Sequence, residues 1–277
     1  MATEVFVSER IVAPDGEIDP FRYGWRYLRN EDPDGNFEMA QVPLTLSDLL
    51  YPEVGDFVVH SKAHEDRCTY LANVFSAQLK DEPTAVVLHD VRVAWDVPGL
   101  RPNGPDIAII HGLREIQNWS TFDVSKEGVR PALIIEVTSP ETRSIDVSTK
   151  LEIYAQAGVP QYVIVDTRRG QGRETLHLLG YRLIMGGYEV LHSDERGWLW
   201  LEAVGLWIGL RDNEVYCYDE AGKQLANYAA MATAYAEAES RAASEAQART
   251  EAESRASAAE SRLQELETEL RHLRGGG

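Results

Sequence analysis

Three short runs, Ile107-Ala108-Ile109-Ile110, Ala132-Leu133-Ile134-Ile135-Glu136-Val137 and Gln161-Tyr162-Val163-Ile164-Val165-Asp166, are apolar without alternation. A strand with one face in water alternates apolar and polar residues; a strand that does not alternate is covered on both faces. These runs therefore predict central strands of a sheet with a layer on each side. Two segments of helical period supply candidates for those layers. Ser61 to Leu79 carries Leu71, Val74, Phe75 and Leu79 at helical spacing. Ser144 to Ala157 is closed by Gly158 at the C′ position and Pro160 beyond it. The expectation is an α/β fold, a small mixed sheet flanked by helices.

The remaining segments dress this core. Pro43 to Leu50 reads as a short helix capped by Thr45 or Ser47. Thr84 to Val97 reads as a strand in which Val91, Val93 and Trp95 alternate. From Glu174 to Tyr218 turn-punctuated strands are expected, with Met185-Gly186-Gly187-Tyr188 and Arg211-Asp212-Asn213-Glu214 as hairpin turns. Residues 1–40, rich in Asp, Glu, Pro and Gly, read as a loosely structured lead-in anchored by Phe21, Tyr23, Trp25 and Tyr27. Residues 41–222 then form the catalytic-type domain, and 223–277 a C-terminal helix. Within that helix Ala256, Ala259, Leu263, Leu266, Leu270 and Leu273 fall at alternating spacings of three and four, the seam of a coiled coil. Glu245 and Arg249 interrupt the earlier seam, so a solvated Ala/Glu/Arg helix is the competing description. Pairing through the seam predicts a homodimer or higher homo-oligomer.

No run of about 18 apolar residues is present, which excludes a membrane-spanning helix. The first residues lack a signal-peptide pattern, and Cys68 and Cys217 stand at no metal-ligand spacing, so a cytoplasmic chain with reduced thiols is expected. The net charge of −18 is unusual for a protein that handles nucleic acid, where phosphate neutralisation supplies much of the affinity.

Two carboxylates occupy positions at odds with their surroundings. Asp106 follows a proline and opens an apolar strand; Glu136 lies inside one. An unpartnered carboxylate there costs several kcal/mol, roughly, so each needs a cation or donor. A hard divalent ion such as Mg²⁺ or Mn²⁺, held jointly, answers both needs and carries waters that can serve as nucleophile. Downstream, Asp146, Lys150 and Tyr154 are spaced i, i+4, i+8 on one helix face, and an inward Lys150 could position water beside a phosphate. Each residue also has a plainer description. Asp106 could simply begin a strand, Glu136 and Lys150 could be a structural ion pair, and Lys150 could lie on the surface. Asp146 could be a helix-start charge favoured by the macrodipole, Tyr154 packing, and Asp166 structural. Arg143 is either a phosphate contact or an exposed turn residue.

Pro105-Asp106, Ile135-Glu136-Val137-Thr138-Ser139-Pro140-Glu141-Thr142-Arg143, then Asp146, Lys150 and Tyr154, then Ala157-Gly158-Val159-Pro160-Gln161-Tyr162-Val163-Ile164-Val165-Asp166, in this order, resemble the Uma family of restriction endonucleases within the PD-(D/E)XK superfamily. The resemblance runs from about Val42 to Leu210. It implies a restriction-endonuclease-like domain in which Asp106 and Glu136 bind the metal, the carbonyl of Val137 is a further ligand, and His64 matches a histidine near the start of the first core helix. Glu65 or Asp66 beside it could add a third acid. The superfamily's usual lysine, two residues after the second acid, is replaced by Thr138; Lys150 matches the lysine that this family carries on the following helix. The implied function is metal-dependent hydrolysis of nucleic-acid phosphodiesters, DNA foremost, with Asp106, Glu136 and Lys150 catalytic. The rival is a degraded nuclease fold serving as a protein-interaction or oligomerisation module, favoured by the acidic charge and the displaced lysine.

Overall fold

The structure is a computed structural model that describes residues 19–31, 37–140, 142–170 and 172–226, with scattered positions between 239 and 262. The chain divides into two units, Met1–Leu225 and Ala226–Gly277. The described positions of the second unit between 239 and 262 are helical, and the seam residues from Ala256 to Leu273 lie outside the described residues.

In chain order the first unit contains β1 (Gly24–Glu31), β2 (Phe37–Pro43), α1 (Leu46–Leu50), β3 (Phe57–Val58), α2 (Lys62–Gln78), β4 (Val86–His89), β5 (Arg92–Ala94), β6 (Ile107–Ile110), β7 (Thr121–Asp123), α3 (Val124–Glu127) and β8 (Pro131–Val137). A π-helical stretch, Ile145–Thr149, then leads into α4 (Lys150–Gln156). Strands β9 (Gln161–Gly170), β10 (Arg173–Ile184), β11 (Gly187–Val190), β12 (Leu199–Leu201), β13 (Leu206–Arg211) and β14 (Glu214–Tyr218) follow. The central sheet has the order β11-β10-β9-β8-β6-β4. Only β8 and β9 run parallel in it, joined by the crossover through α4, as a parallel pair requires.

Strand parity divides this sheet into two cores. Ile107, Ile109, Leu133, Ile135, Val163 and Val165 pack with Cys68, Leu71 and Phe75 of α2 and with the β12–β14 sheet. Ala108, Ile110, Ile134, Tyr162 and Ile164 pack with Ile153, Tyr154 and Ala157 of α4 and with Val93 and Phe122. The uninterrupted apolar runs are thus covered on both faces, as their composition requires. Glu136 shares the parity of Ile134 and so turns toward α4.

Local signals settle the helix starts. Thr45 caps α1 in a reciprocal capping box with Asp48, and Ser61 caps α2 by accepting from the amide of His64 at 3.2 Å. At the other end of the α4 crossover, Gly158 adopts φ 74. The hairpin turn at Asp212 and Asn213 is left-handed at both residues, φ 52 and 60.

Two segments depart from the sequence reading. Strand β1 and most of β2, expected within the loose lead-in of residues 1–40, pair antiparallel with each other; β1 also pairs with β3, and Trp25 stacks on Phe57 at 5.6 Å. The polar composition of the stretch masks a ladder whose energy lies in cross-strand pairing. The expected strand over Thr84–Val97 is broken in two. Asp90 turns left-handed, φ 61, and donates its amide to the carbonyl of Asp106 at 3.2 Å, so β4 joins the central sheet and β5 pairs with β7. Aspartate tolerates that conformation better than the β-branched residues around it.

Because Ser61 satisfies one of the orphan amides of α2, Ser61→Ala is expected to lower stability by about 1 kcal/mol in chemical denaturation. An unchanged midpoint would mean that the cap contributes nothing.

Candidate active site

The ends of β6 and β8 and the start of α4 bring together the acids singled out in the sequence. Glu136 is 1% exposed, at the centre of the sheet. Its Oε2 lies 2.8 Å from Lys150 Nζ, and its Oε1 accepts from the hydroxyl of Tyr154 at 2.6 Å. Lys150 also reaches Asp146 Oδ1 at 3.0 Å. The wide π-helical turn ahead of α4 carries Asp146, and the hydroxyl of Tyr162 donates to the Asp146 carbonyl at 2.9 Å, tying that turn to β9. Such turns recur at functional sites.

Asp106 completes the group. Its Oδ2 accepts from the amide of Val137 at 2.7 Å, its own amide points at Glu136 Oε2 at 3.4 Å, and its Oδ1 lies 3.6 Å from His64 Nε2. Three carboxylates therefore gather around one ammonium. Burial is the largest influence on Asp106 and pushes its carboxyl up to about 7 despite Lys150. Burial likewise holds the Glu136 carboxyl well above the usual range, with Lys150 opposing and Asp106 and Asp146 reinforcing. Burial disfavours the charge on Lys150, but Asp146, Glu136 and Asp106 outweigh it and keep the ammonium protonated. For His64, burial lowers the imidazole to about 4, so the ring is neutral at pH 7.

A chain of buried hydrogen bonds runs back from Glu136 through Tyr154. Tyr154 accepts from Asn103 Nδ2 at 2.8 Å, and Asn103 Oδ1 accepts from the indole of Trp95 at 2.7 Å. This buried chain fixes Oε1 and leaves Oε2 toward Lys150 and Asp106. Tyr154, described above as packing or chemistry, is both a core residue and the donor that aims Glu136. Asn103 was invisible in the sequence because Pro102-Asn103-Gly104-Pro105 has the composition of any turn. Arg143 and Asp166 form a bidentate pair at 2.7 and 3.0 Å, with Arg168 Nε on the same carboxylate at 2.7 Å. That guanidinium is engaged with a buried acid, and Asp166 is structural.

The acids and Lys150 line a cleft of about 930 Å³, together with His64, Arg92 and Thr167. The donor set is chemically suited to a hard divalent ion: carboxylate oxygens that burial leaves short of positive charge, beside a backbone carbonyl at Val137.

A mixed sheet with two acids on adjacent strands and a lysine on the following helix defines the restriction-endonuclease-like class. The chain belongs to the Uma2 family, described as "Putative restriction endonuclease", whose family model matches residues 55–211. That span contains Asp106, Glu136 and Lys150 and leaves out the β1–β2 hairpin and the C-terminal unit. One solved structure, "a putative nuclease belonging to DUF820 from Anabaena variabilis ATCC 29413", aligns at 16% identity and a TM-score of 0.40. The alignment covers 58% of this chain and 91% of that one, a distant likeness only. No curated protein matches the chain.

The raised carboxyl of Asp106 fixes a sign. An acid that is harder to ionise in the fold favours folding while protonated, so metal-free stability is expected to fall as pH rises from about 4 through about 7. Asp106→Asn, which retains an acceptor for the Val137 amide, should flatten this slope and raise Tm at pH 8 in chelator, with no gain at pH 4. An equal slope in both proteins would show that Asp106 is not the strained group.

Proposed function

We propose that this chain is a divalent-metal-dependent nuclease that hydrolyses phosphodiester bonds of nucleic acid, DNA foremost. The observation that carries the reading is the buried group of Asp106, Glu136 and Asp146 around the single ammonium of Lys150 on the wall of an open cleft. Mg²⁺ or Mn²⁺ would be held by Asp106, Glu136 and the carbonyl of Val137, and when bound would polarise the phosphate and acidify a bound water. Glu136 is held in one orientation by Tyr154, so its Oε2, beside Lys150, is pre-aimed and little reorganisation is needed. Lys150, kept protonated by its carboxylates, offers N–H donors to a phosphate oxygen or to the attacking water at the cleft wall. Asp146 holds the ammonium from the other side, which limits where it can swing.

One observation favours the rival reading as an interaction module: Lys150 already contacts both Glu136 and Asp146, a closed arrangement that needs no ligand. Calorimetric titration with Mn²⁺ separates the two, since only the nuclease reading requires uptake that Glu136→Gln abolishes.

Cleavage of mixed DNA and RNA substrates with Mn²⁺ is expected from the wild type. Asp106→Asn and Glu136→Gln should lose it by roughly 10²-fold or more, and Lys150→Met by a similar factor with metal affinity largely retained. Equal cleavage by all four proteins in chelator would sink the assignment.

The C-terminal unit is proposed to set the oligomeric state, because the leucines at 263, 266, 270 and 273 would each gain roughly 1.5–3 kcal/mol on full burial against a partner. Ending the chain after Ala226 is expected to leave a folded core of lower assembly mass by light scattering. An unchanged oligomeric state in the truncated protein would place the interface in the α/β body.

A further inference from the structure

On the α2 side of Asp106 lie two donors, His64 and Cys68, that the nuclease chemistry does not use. His64 Nε2 is 3.5 Å from Cys68 Sγ and 3.6 Å from Asp106 Oδ1, and the three ligand atoms all lie within 4.8 Å of one another. His64 and Cys68 stand one turn apart on α2, so the helix itself sets their spacing. Cys68 is fully buried and His64 is 8% exposed, while Asp106 is partly exposed on the cleft side.

We propose that His64, Cys68 and Asp106 form a second metal site, for a zinc-like borderline-soft divalent ion, that shares Asp106 with the hard-ion centre. The distances support it. Metal bonds of about 2.05 Å to nitrogen, 2.3 Å to sulfur and 2.1 Å to oxygen, laid on the two separations from His64 Nε2, subtend angles at the ion of roughly 107° to Cys68 and 120° to Asp106, either side of the tetrahedral value. Three protein ligands leave a fourth position, and His64 and Asp106 both line the cleft through which an ion would enter. The donors discriminate by softness: imidazole and thiolate suit zinc, whereas magnesium prefers all-oxygen surroundings. Binding requires the Cys68 thiol to give up its proton to solvent, and the divalent charge compensates for a carboxylate and a thiolate placed side by side. The neighbouring set of His60, His64 and Glu65 is a poorer candidate. Its two imidazoles are stacked at 4.2 Å and 6°, and an ion in the plane of one ring lies out of the plane of the other.

Only the consequence for activity rests on the nuclease reading: an ion on Oδ1 of Asp106 would antagonise Mg²⁺ or Mn²⁺ at the shared carboxylate. The site itself is tested without activity. Metal-free, thiol-reduced full-length protein is titrated with Co²⁺. One equivalent is expected to bring up a thiolate-to-cobalt charge-transfer band and strong tetrahedral d–d absorption, both bleached by equimolar Zn²⁺ and not by excess Mg²⁺. Cys68→Ala and His64→Ala should lose the charge-transfer band, and Cys217→Ala, which removes the only other cysteine, should keep it. Should Cys68→Ala fail to fold, alkylation of the wild type mapped by mass spectrometry reports the same bond, with Zn²⁺ expected to protect Cys68 and leave Cys217 unchanged. Cobalt uptake without a thiolate band, a band lost with Cys217, or no uptake at all overturns the proposal. Zinc binding as proposed with no nuclease activity in any metal would uphold the site and reject the nuclease reading.

Discussion

A carboxylate at the middle of a sheet is the condition to which the surrounding structure answers. Glu136 lies between Ile135 and Val137 on β8, and strand parity sends it into the α4 core, where water cannot solvate it. An ionised group so placed is tolerated only with donors on its oxygens. Tyr154 supplies one to Oε1 and Lys150 supplies one to Oε2, both from the helix that crosses from β8 to β9. The connection that makes the β8–β9 pair parallel is therefore also the element that makes Glu136 admissible. The π-helical turn at its start adds Asp146 on the far side of Lys150.

The group is nevertheless out of balance, and the imbalance is informative. A purely structural buried pair is best served by one acid and one base with every oxygen donated to. Here a third acid, Asp106, is drawn in by the amide of Val137, and burial makes both it and Glu136 reluctant to ionise. Stability alone gives no reason for that surplus, since replacing such groups by apolar ones of similar volume is often neutral or favourable. An arrangement that a divalent ion would relieve is what a hard-metal centre requires before it is filled.

Much of this was legible in the sequence, and the physical reason differs from element to element. The buried strands announced themselves because a strand covered on both faces has no polar phase to hide. Glu136 stood out against that background for the same reason. The register of Asp146, Lys150 and Tyr154 survived because three- and four-residue spacing places side chains on one face even where the turn widens. What stayed hidden depended on contacts distant in sequence. Asn103 joins Trp95 to Tyr154 across the second core, and nothing local to a Pro-Asn-Gly-Pro turn encodes that. The β1–β2 hairpin did carry a trace of strand alternation in Phe21, Tyr23, Trp25 and Tyr27, but the Asp-, Glu- and Pro-rich composition around it concealed that signal. Cys68 read as an isolated cysteine, since its relation to Asp106 arises only when α2 packs over the end of β6.

The charge of −18 takes on a different weight once the cleft is considered residue by residue. Several guanidinium groups near it are already paired: Arg67 with Glu214, Arg26 with Asp48 and Asp56, and Arg143 and Arg168 with Asp166. These arginines stabilise the frame and contribute little positive potential to a ligand. Around Lys150 the wall carries three carboxylates to one ammonium, while Arg92, bonded to the Pro52 carbonyl and the Thr121 hydroxyl, adds a cation elsewhere on the cleft. To the extent that these carboxylates are ionised, a phosphate approaching them meets repulsion, on the order of 4 kcal/mol for an unscreened like-charge pair at about 4 Å near a protein surface. On the nuclease reading, a divalent ion held by Asp106 and Glu136 would relieve that repulsion, and so would favour polyanion binding as well as chemistry. The acidity that counts against a constitutive nucleic-acid binder is compatible with an enzyme that engages its substrate most readily when loaded.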